Sequence, residues 1–266
     1  MTIWAIANQK GGVGKTTTVV SLAGLLAQQG SPTLILDMDP HGSLTTYFGL
    51  DPDTVENSIY SLFQKSDSSP NAALFNSLQK TSHDNLYILP ASTAMATLDR
   101  QLGTQGGKGL VIKSNLELLG DRFPNILIDC PPMLGVLMIN ALAACDQLLI
   151  PVQTEFLALK GLERMLHTLD MINHARKQGL PYLIVPTMFD RRTRASIQSL
   201  RMLREKYNEG VWEDVIPVDT QFRDASKAGT PLPLINAKSR GSLAYTQLLQ
   251  HLTSPQHDME KLPRVF

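Results

Sequence analysis

Only two cysteines, Cys130 and Cys145, stand in the 266 residues, with no C-x-x-C pair and no histidine cluster beside them. That argues against a disulfide framework and against a zinc site. Neither sign of charge prevails, since 24 Lys and Arg face 24 Asp and Glu. A surface built wholly for nucleic acid is thereby disfavoured, and any DNA contact must be a local patch. No apolar run reaches the roughly 18 residues of a membrane span. The chain opens directly on a strand pattern, so an unprocessed, cytoplasmic protein is expected. Nothing divides it into halves, and 43% hydrophobic against 18% charged content suits one large core. The expectation is a single domain over residues 1–252 and a flexible tail over 253–266, which carries Pro255 and Pro263.

What is present is alternation. Short apolar runs at Ile3–Ala7, Leu34–Asp37, Leu86–Leu89, Ile126–Asp129, Leu148–Val152 and Leu183–Pro186 read as strands. Between them Thr17–Gln29, Gly135–Ala144, Gly161–Gln178 and Ala195–Tyr207 carry apolar residues at helical spacing. The fold class this predicts is α/β, doubly wound, with a mostly parallel sheet and helices on both faces. Functional loops then gather at the carboxyl edge of the sheet.

Directly after the first strand the chain reads Asn8-Gln9-Lys10-Gly11-Gly12-Val13-Gly14-Lys15-Thr16-Thr17. Glycines let successive backbone N–H groups converge on phosphate oxygens, Lys15 brings a mobile cation, and the Thr16 hydroxyl can ligate Mg²⁺. The helix that follows adds its positive N-terminal dipole. A second glycine-rich stretch, Gly103–Gly109, has no strand close before it and no Ser or Thr after its lysine, so a mobile surface loop is expected there, and Ser66–Asn71 is Ser/Asp/Pro-rich. The second strand ends Leu36-Asp37-Met38-Asp39-Pro40, and the fourth ends in Asp129. Buried carboxylates need positive partners, which Mg²⁺, Lys15 and Lys10 would supply. The plain alternative for the first pair is a helix cap.

The ordinary phosphate loop has glycine where this chain has Gln9, and it has no lysine at position 10. Lys10-Gly11-Gly12-Val13-Gly14-Lys15-Thr16-Thr17 instead resembles the deviant P-loop of the ParA/MinD ATPases. Asp37-Met38-Asp39-Pro40 and Ile128-Asp129-Cys130-Pro131-Pro132-Met133-Leu134-Gly135 extend the likeness, which runs from Thr2 to about Leu252. The resemblance implies ATP and Mg²⁺ as cofactors, with Lys10, Lys15 and Asp39 catalytic. Asp39 would orient the attacking water, and Lys10 would reach a second nucleotide across a homodimer. Gly11, Gly12, Val13, Gly14, Lys15, Thr16, Thr17, Pro217 and Val218 would join Lys10 around the nucleotide. Thr16 would ligate the metal directly, and Asp39 and Asp129 through water. Slow turnover stimulated by a partner protein is also implied. Cargo positioning follows, either plasmid and chromosome partition or polar chemotaxis arrays, with the nucleoid or the cell pole as the place of accumulation.

Arg191, Arg192, Arg194, Arg201, Arg204 and Lys206 crowd one segment, with Ile197, Leu200, Leu203 and Tyr207 as its expected buried stripe. A solvated basic face is the bland reading, and nonspecific DNA contact through Arg191, Arg192, Arg194 and Arg201 is the functional one. Relatives that coat the nucleoid carry two arginines in a late segment resembling I-P-R-N-x-R-L, where this chain has Ile216-Pro217-Val218-Asp219-Thr220-Gln221-Phe222. Arg223 and Lys227 are the candidate substitutes. His41-Gly42-Ser43, in place of the common Q-G-N, resembles chemotaxis-linked members, and for His41 packing or capping outweighs proton transfer.

Three competing classes follow from related loops. A MinD-like membrane-surface protein needs a basic amphipathic C-terminal helix, and the tail with two prolines does not read as one, so no stable membrane binding is expected. A P-loop metal-cluster carrier needs paired interface cysteines. A cobyrinate-type amidoligase is expected to need a further substrate domain.

Overall fold

Residues in β1 (Thr2–Ile6) alternate between two cores, Ile3 and Ala5 facing one and Trp4 and Ile6 the other. Such two-sided burial marks a central parallel strand. The computed structural model describes residues 1–64, 70–98, 101, 108–174, 179–254 and 263. Further strands are β2 (Thr33–Asp37), β3 (Gln79–Lys80), β4 (Leu86–Leu89), β5 (Asn125–Asp129), β6 (Gln147–Gln153) and β7 (Tyr182–Thr187). They form one seven-stranded sheet in the order β3-β4-β2-β5-β1-β6-β7. Every pairing is parallel except β3 with β4.

The helices of eight or more residues among the described ones are α1 (Lys15–Gln28), α2 (Pro70–Ser77), α3 (Val136–Ala144), α4 (Phe156–Asn173), α5 (Arg194–Tyr207), α6 (Gln221–Ala228) and α7 (Arg240–Thr253). Apolar residues of α1 and α7, including Val19, Leu22, Tyr245 and Leu248, pack with Ile35, Leu127 and Leu149 on one face. Leu137 and Met138 of α3, with Leu162 and Met165 of α4, pack with Leu34, Ile126 and Leu148 on the other. The doubly wound class is therefore as expected, and the strand bounds differ from expectation by a residue or two.

Two details depart from the sequence expectation. β3 is a two-residue antiparallel edge strand that no pattern announced. In α5, Ile197 is 49% exposed, and the buried positions are Ser196, Ser199, Leu200 and Leu203. Ser196 takes the core-facing place because its hydroxyl meets Thr154 Oγ1 at 2.6 Å and accepts the Asp190 N–H at 3.1 Å. Several expectations fall partly outside the described residues: the loop at 103–107, positions 66–69, the expected helix end at 175–178, and the tail at 255–262 and 264–266. Of the Gly103–Gly109 loop only its end is described, where Lys108–Leu110 forms a single 3-10 turn.

Candidate active site

At the carboxyl edge, Ile6 of β1 and Asp37 of β2 are both in register with Asp129 of β5. The loop leaving β1 therefore turns directly over two acidic strand ends. Gly12 (φ 72°) and Gly14 (φ 93°) are left-handed. A Cβ on Gly12 would meet nothing within 4 Å, so the backbone angle, not crowding, demands glycine. Buried Asn8 donates to the Pro151 carbonyl (2.8 Å) and accepts the Lys10 N–H (3.0 Å). Thr187 donates to the Val13 carbonyl (2.8 Å), and Thr18 to that of Gly14 (2.8 Å). The loop is thus held by its carbonyls and by Asn8 against β6, β7 and α1. Gly11 to Thr16 contribute none of the recorded loop-fixing N–H donors, which suits an anion cradle at a helix N-terminus.

Lys15 is 8% exposed, and among the described residues its ammonium finds only the Lys10 carbonyl, at a long 3.4 Å. Thr16 Oγ1 donates to Asp129 Oδ2 at 2.6 Å, whereas Asp129 Oδ1 is buried without a hydrogen-bond partner. Burial, then the neighbouring charge of Asp37, pushes the Asp129 carboxyl well above the usual carboxylate range. An orphaned buried oxygen beside a threonine hydroxyl and a lysine fits a divalent cation held by hard oxygen donors. Among the described residues no group of three or more His, Cys, Asp or Glu side chains could hold a metal by itself. A Mg²⁺ here would therefore take its remaining ligands from phosphate and water.

Asp37 is fully buried and fully engaged. Its Oδ2 accepts Thr45 N–H (2.8 Å) and Oγ1 (2.7 Å), and its Oδ1 accepts Asp39 N–H (3.1 Å). Burial nevertheless raises its carboxyl to about 6. A raised carboxyl costs the folded chain stability, beginning above the ordinary value of 3.8 and in full above about 6. Free of nucleotide and metal, the protein is expected to gain about 1–1.5 kcal/mol from Asp37 as pH falls from 7.5 to 5. Urea melts across that range check this, and an Asp37→Asn variant with the same pH slope as the parent would contradict it.

Asp39 is also brought here, its side chain 15% exposed and its Oδ1 held by His41. Lys10 pairs within the same chain with Glu155, at the start of α4. Pro217 and Val218 lie farther along the edge, where the loop after β7 pairs with them at Phe189. With Asp190, Arg191, Arg192, Thr220 and Arg240 they line a hollow of about 540 Å³.

The basic residues are dispersed and partly neutralised. Arg192 forks onto Asp190 at 2.8 and 2.9 Å and holds that carboxyl down at about 2. Arg201 pairs with Glu205 (2.6 Å) and Lys206 with Glu163 (2.7 Å). Arg191, Arg194, Arg223 and Lys227 are exposed and form no ion pair among the described residues. Glu155 escaped sequence reading, because nothing local links it to a lysine 145 positions away.

A family model described as an AAA domain matches residues 1–181. The sporulation initiation inhibitor Soj of Bacillus subtilis is 34% identical over 253 residues, covering 95% of this chain and 98% of its own. The chain belongs to the ParA/MinD family of P-loop ATPases. The chromosome partitioning protein ParA of Myxococcus xanthus is 35% identical over 267 residues, with 98% and 90% covered. Among solved structures, cobyrinic acid a,c-diamide synthase of Mycobacterium smegmatis, with bound ATP analogue and magnesium, superposes on this ParA/MinD ATPase at a TM-score of 0.81. It is 31% identical, and the match covers 100% of both chains.

Proposed function

We propose that this ATPase binds ATP with Mg²⁺ in the Gly11–Thr17 cradle, dimerises in that state, and hydrolyses slowly until a partner protein stimulates it. Release of the subunits then moves or re-sites a cargo. The observation that carries this reading is the convergence of Lys15, Thr16, Asp129 and Asp39 on one sheet edge, with Lys10 beside them.

Magnesium, when bound, neutralises charge on the β- and γ-phosphates. Backbone N–H groups and Lys15 hold those phosphates where negative charge develops. Asp39 accepts a hydrogen bond from the attacking water and aligns it for in-line displacement. Pro217 and Val218 border the base. The Lys10–Glu155 pair belongs to the single chain, so a lysine that reaches a second nucleotide must first leave Glu155. Nucleotide state then becomes oligomeric state.

For the track we propose duplex DNA, gripped through phosphates by Arg191, Arg194, Arg223 and Lys227. Arg192 and Arg201 would join by exchanging their exposed pairs, which are worth little in water. Filter binding of random duplex is expected to show retention that requires ATP and collapses between low and high salt. Absence of ATP-dependent retention at low salt would remove DNA as the track and leave a polar hub. The relatives called chromosome partitioning proteins favour that cargo, while His41-Gly42-Ser43 favours chemotaxis arrays. Tagged protein viewed with chromosome and array markers separates nucleoid from pole.

Amidation is the competing chemistry, through the name of the Mycobacterium structure. Because that match is coextensive, the expected need for a further substrate domain does not separate the two readings. Phosphate release without any acyl or amide acceptor supports the ATPase reading.

A further inference from the structure

We infer that His41 is a positioning residue for hydrolysis, locking the Asp39 carboxylate so that one oxygen is spent on the protein and the other faces the attacking water. This rests on the role given to Asp39 above.

Two donors from one residue converge on Asp39 Oδ1, the His41 backbone N–H at 3.0 Å and its ring Nδ1 at 2.9 Å. An ionised carboxylate only accepts, so Nδ1 must carry the hydrogen. The neutral Nδ1–H tautomer and the imidazolium can both supply it. The backbone contact is an ordinary Asx-turn that any residue at position 41 would make. The ring contact is what histidine adds.

The turn that presents it is itself anchored, since Gly42 N–H donates to the Asp39 carbonyl at 2.9 Å and Thr46 N–H to that of Gly42 at 2.8 Å. Asp39 Oδ2 has no hydrogen-bond partner among the described residues. A carboxylate held by a single Asx-turn bond can still swing about its terminal torsion, which is broad and roughly two-fold. A second donor on the same oxygen narrows that swing. The ring is 83% exposed, so the effect is modest.

Replacing His41 with Ala is expected to lower kcat roughly three- to tenfold, with KM for ATP changed less than about twofold. His41→Asn, whose amide can donate to the same oxygen, should recover most of kcat. Binding of a fluorescent ATP analogue and the melting temperature should match the parent in both variants. A kcat for His41→Ala within about 1.5-fold of the parent would overturn the inference, as would equal losses in the Ala and Asn variants. Asp39→Ala measured alongside keeps the two ideas apart. If it hydrolyses normally, the role of Asp39 fails first. If it is inactive while His41→Ala is normal, only the role of His41 fails.

Discussion

Lys15→Ala is expected to lose ATP. Titration with a fluorescent ATP analogue in Mg²⁺ should show affinity reduced at least roughly 100-fold, about 2.7 kcal/mol or more. The ammonium is nearly buried and among the described residues has no carboxylate ion pair, only a carbonyl at 3.4 Å. A buried cation left so poorly satisfied is poised for a ligand that is strongly anionic. Removing it also withdraws the positive charge that opposes the raised carboxyl of Asp129. Circular dichroism at the titration temperature separates a folded protein that cannot bind from one that has unfolded. A folded Lys15→Ala variant with parental affinity would place the phosphates elsewhere.

What could be read from the sequence was whatever a few neighbouring residues decide together. Gly12 and Gly14 need positive φ, Lys15 follows at once, and the apolar strand before them fixes the edge, so the cradle was legible. Asp37 and Asp129 each end an apolar run of three, and register then makes them neighbours. Most failures trace to polar groups whose partners hydrophobic periodicity cannot register, and the two-residue β3 is too short to carry a pattern. Ser196 displaced Ile197 from the core because Thr154 and Asp190 supply hydrogen bonds from other elements, which hydrophobic periodicity cannot register. Glu155 meets Lys10 only because α4 starts beside the loop. Arg192 and Arg201 read as candidate DNA contacts, yet each has a carboxylate partner close by in sequence, one of which, Asp190, lies just outside the basic run.

Asp39→Ala is expected to separate binding from chemistry. The variant should bind the ATP analogue with parental affinity and elute as a dimer in ATP and Mg²⁺, while hydrolysis falls at least about 100-fold. Three carboxylates compete for the water-orienting role at this edge, and their hydrogen bonds discriminate among them. Asp37 is the poorer candidate because it is fully buried and both its oxygens already accept from Thr45 or the Asp39 N–H. Asp129 has a free oxygen, but it is fully buried beside Thr16, which suits the proposed cation better than an entering nucleophile. Asp39 alone keeps one oxygen restrained and the other open at a partly exposed edge. If Asp39→Ala turns over at the parental rate, no side chain among these three orients the water. If it fails to bind ATP, Asp39 serves the metal more than the water. Retained dimer without phosphate release is the result that makes hydrolysis the clock for subunit release.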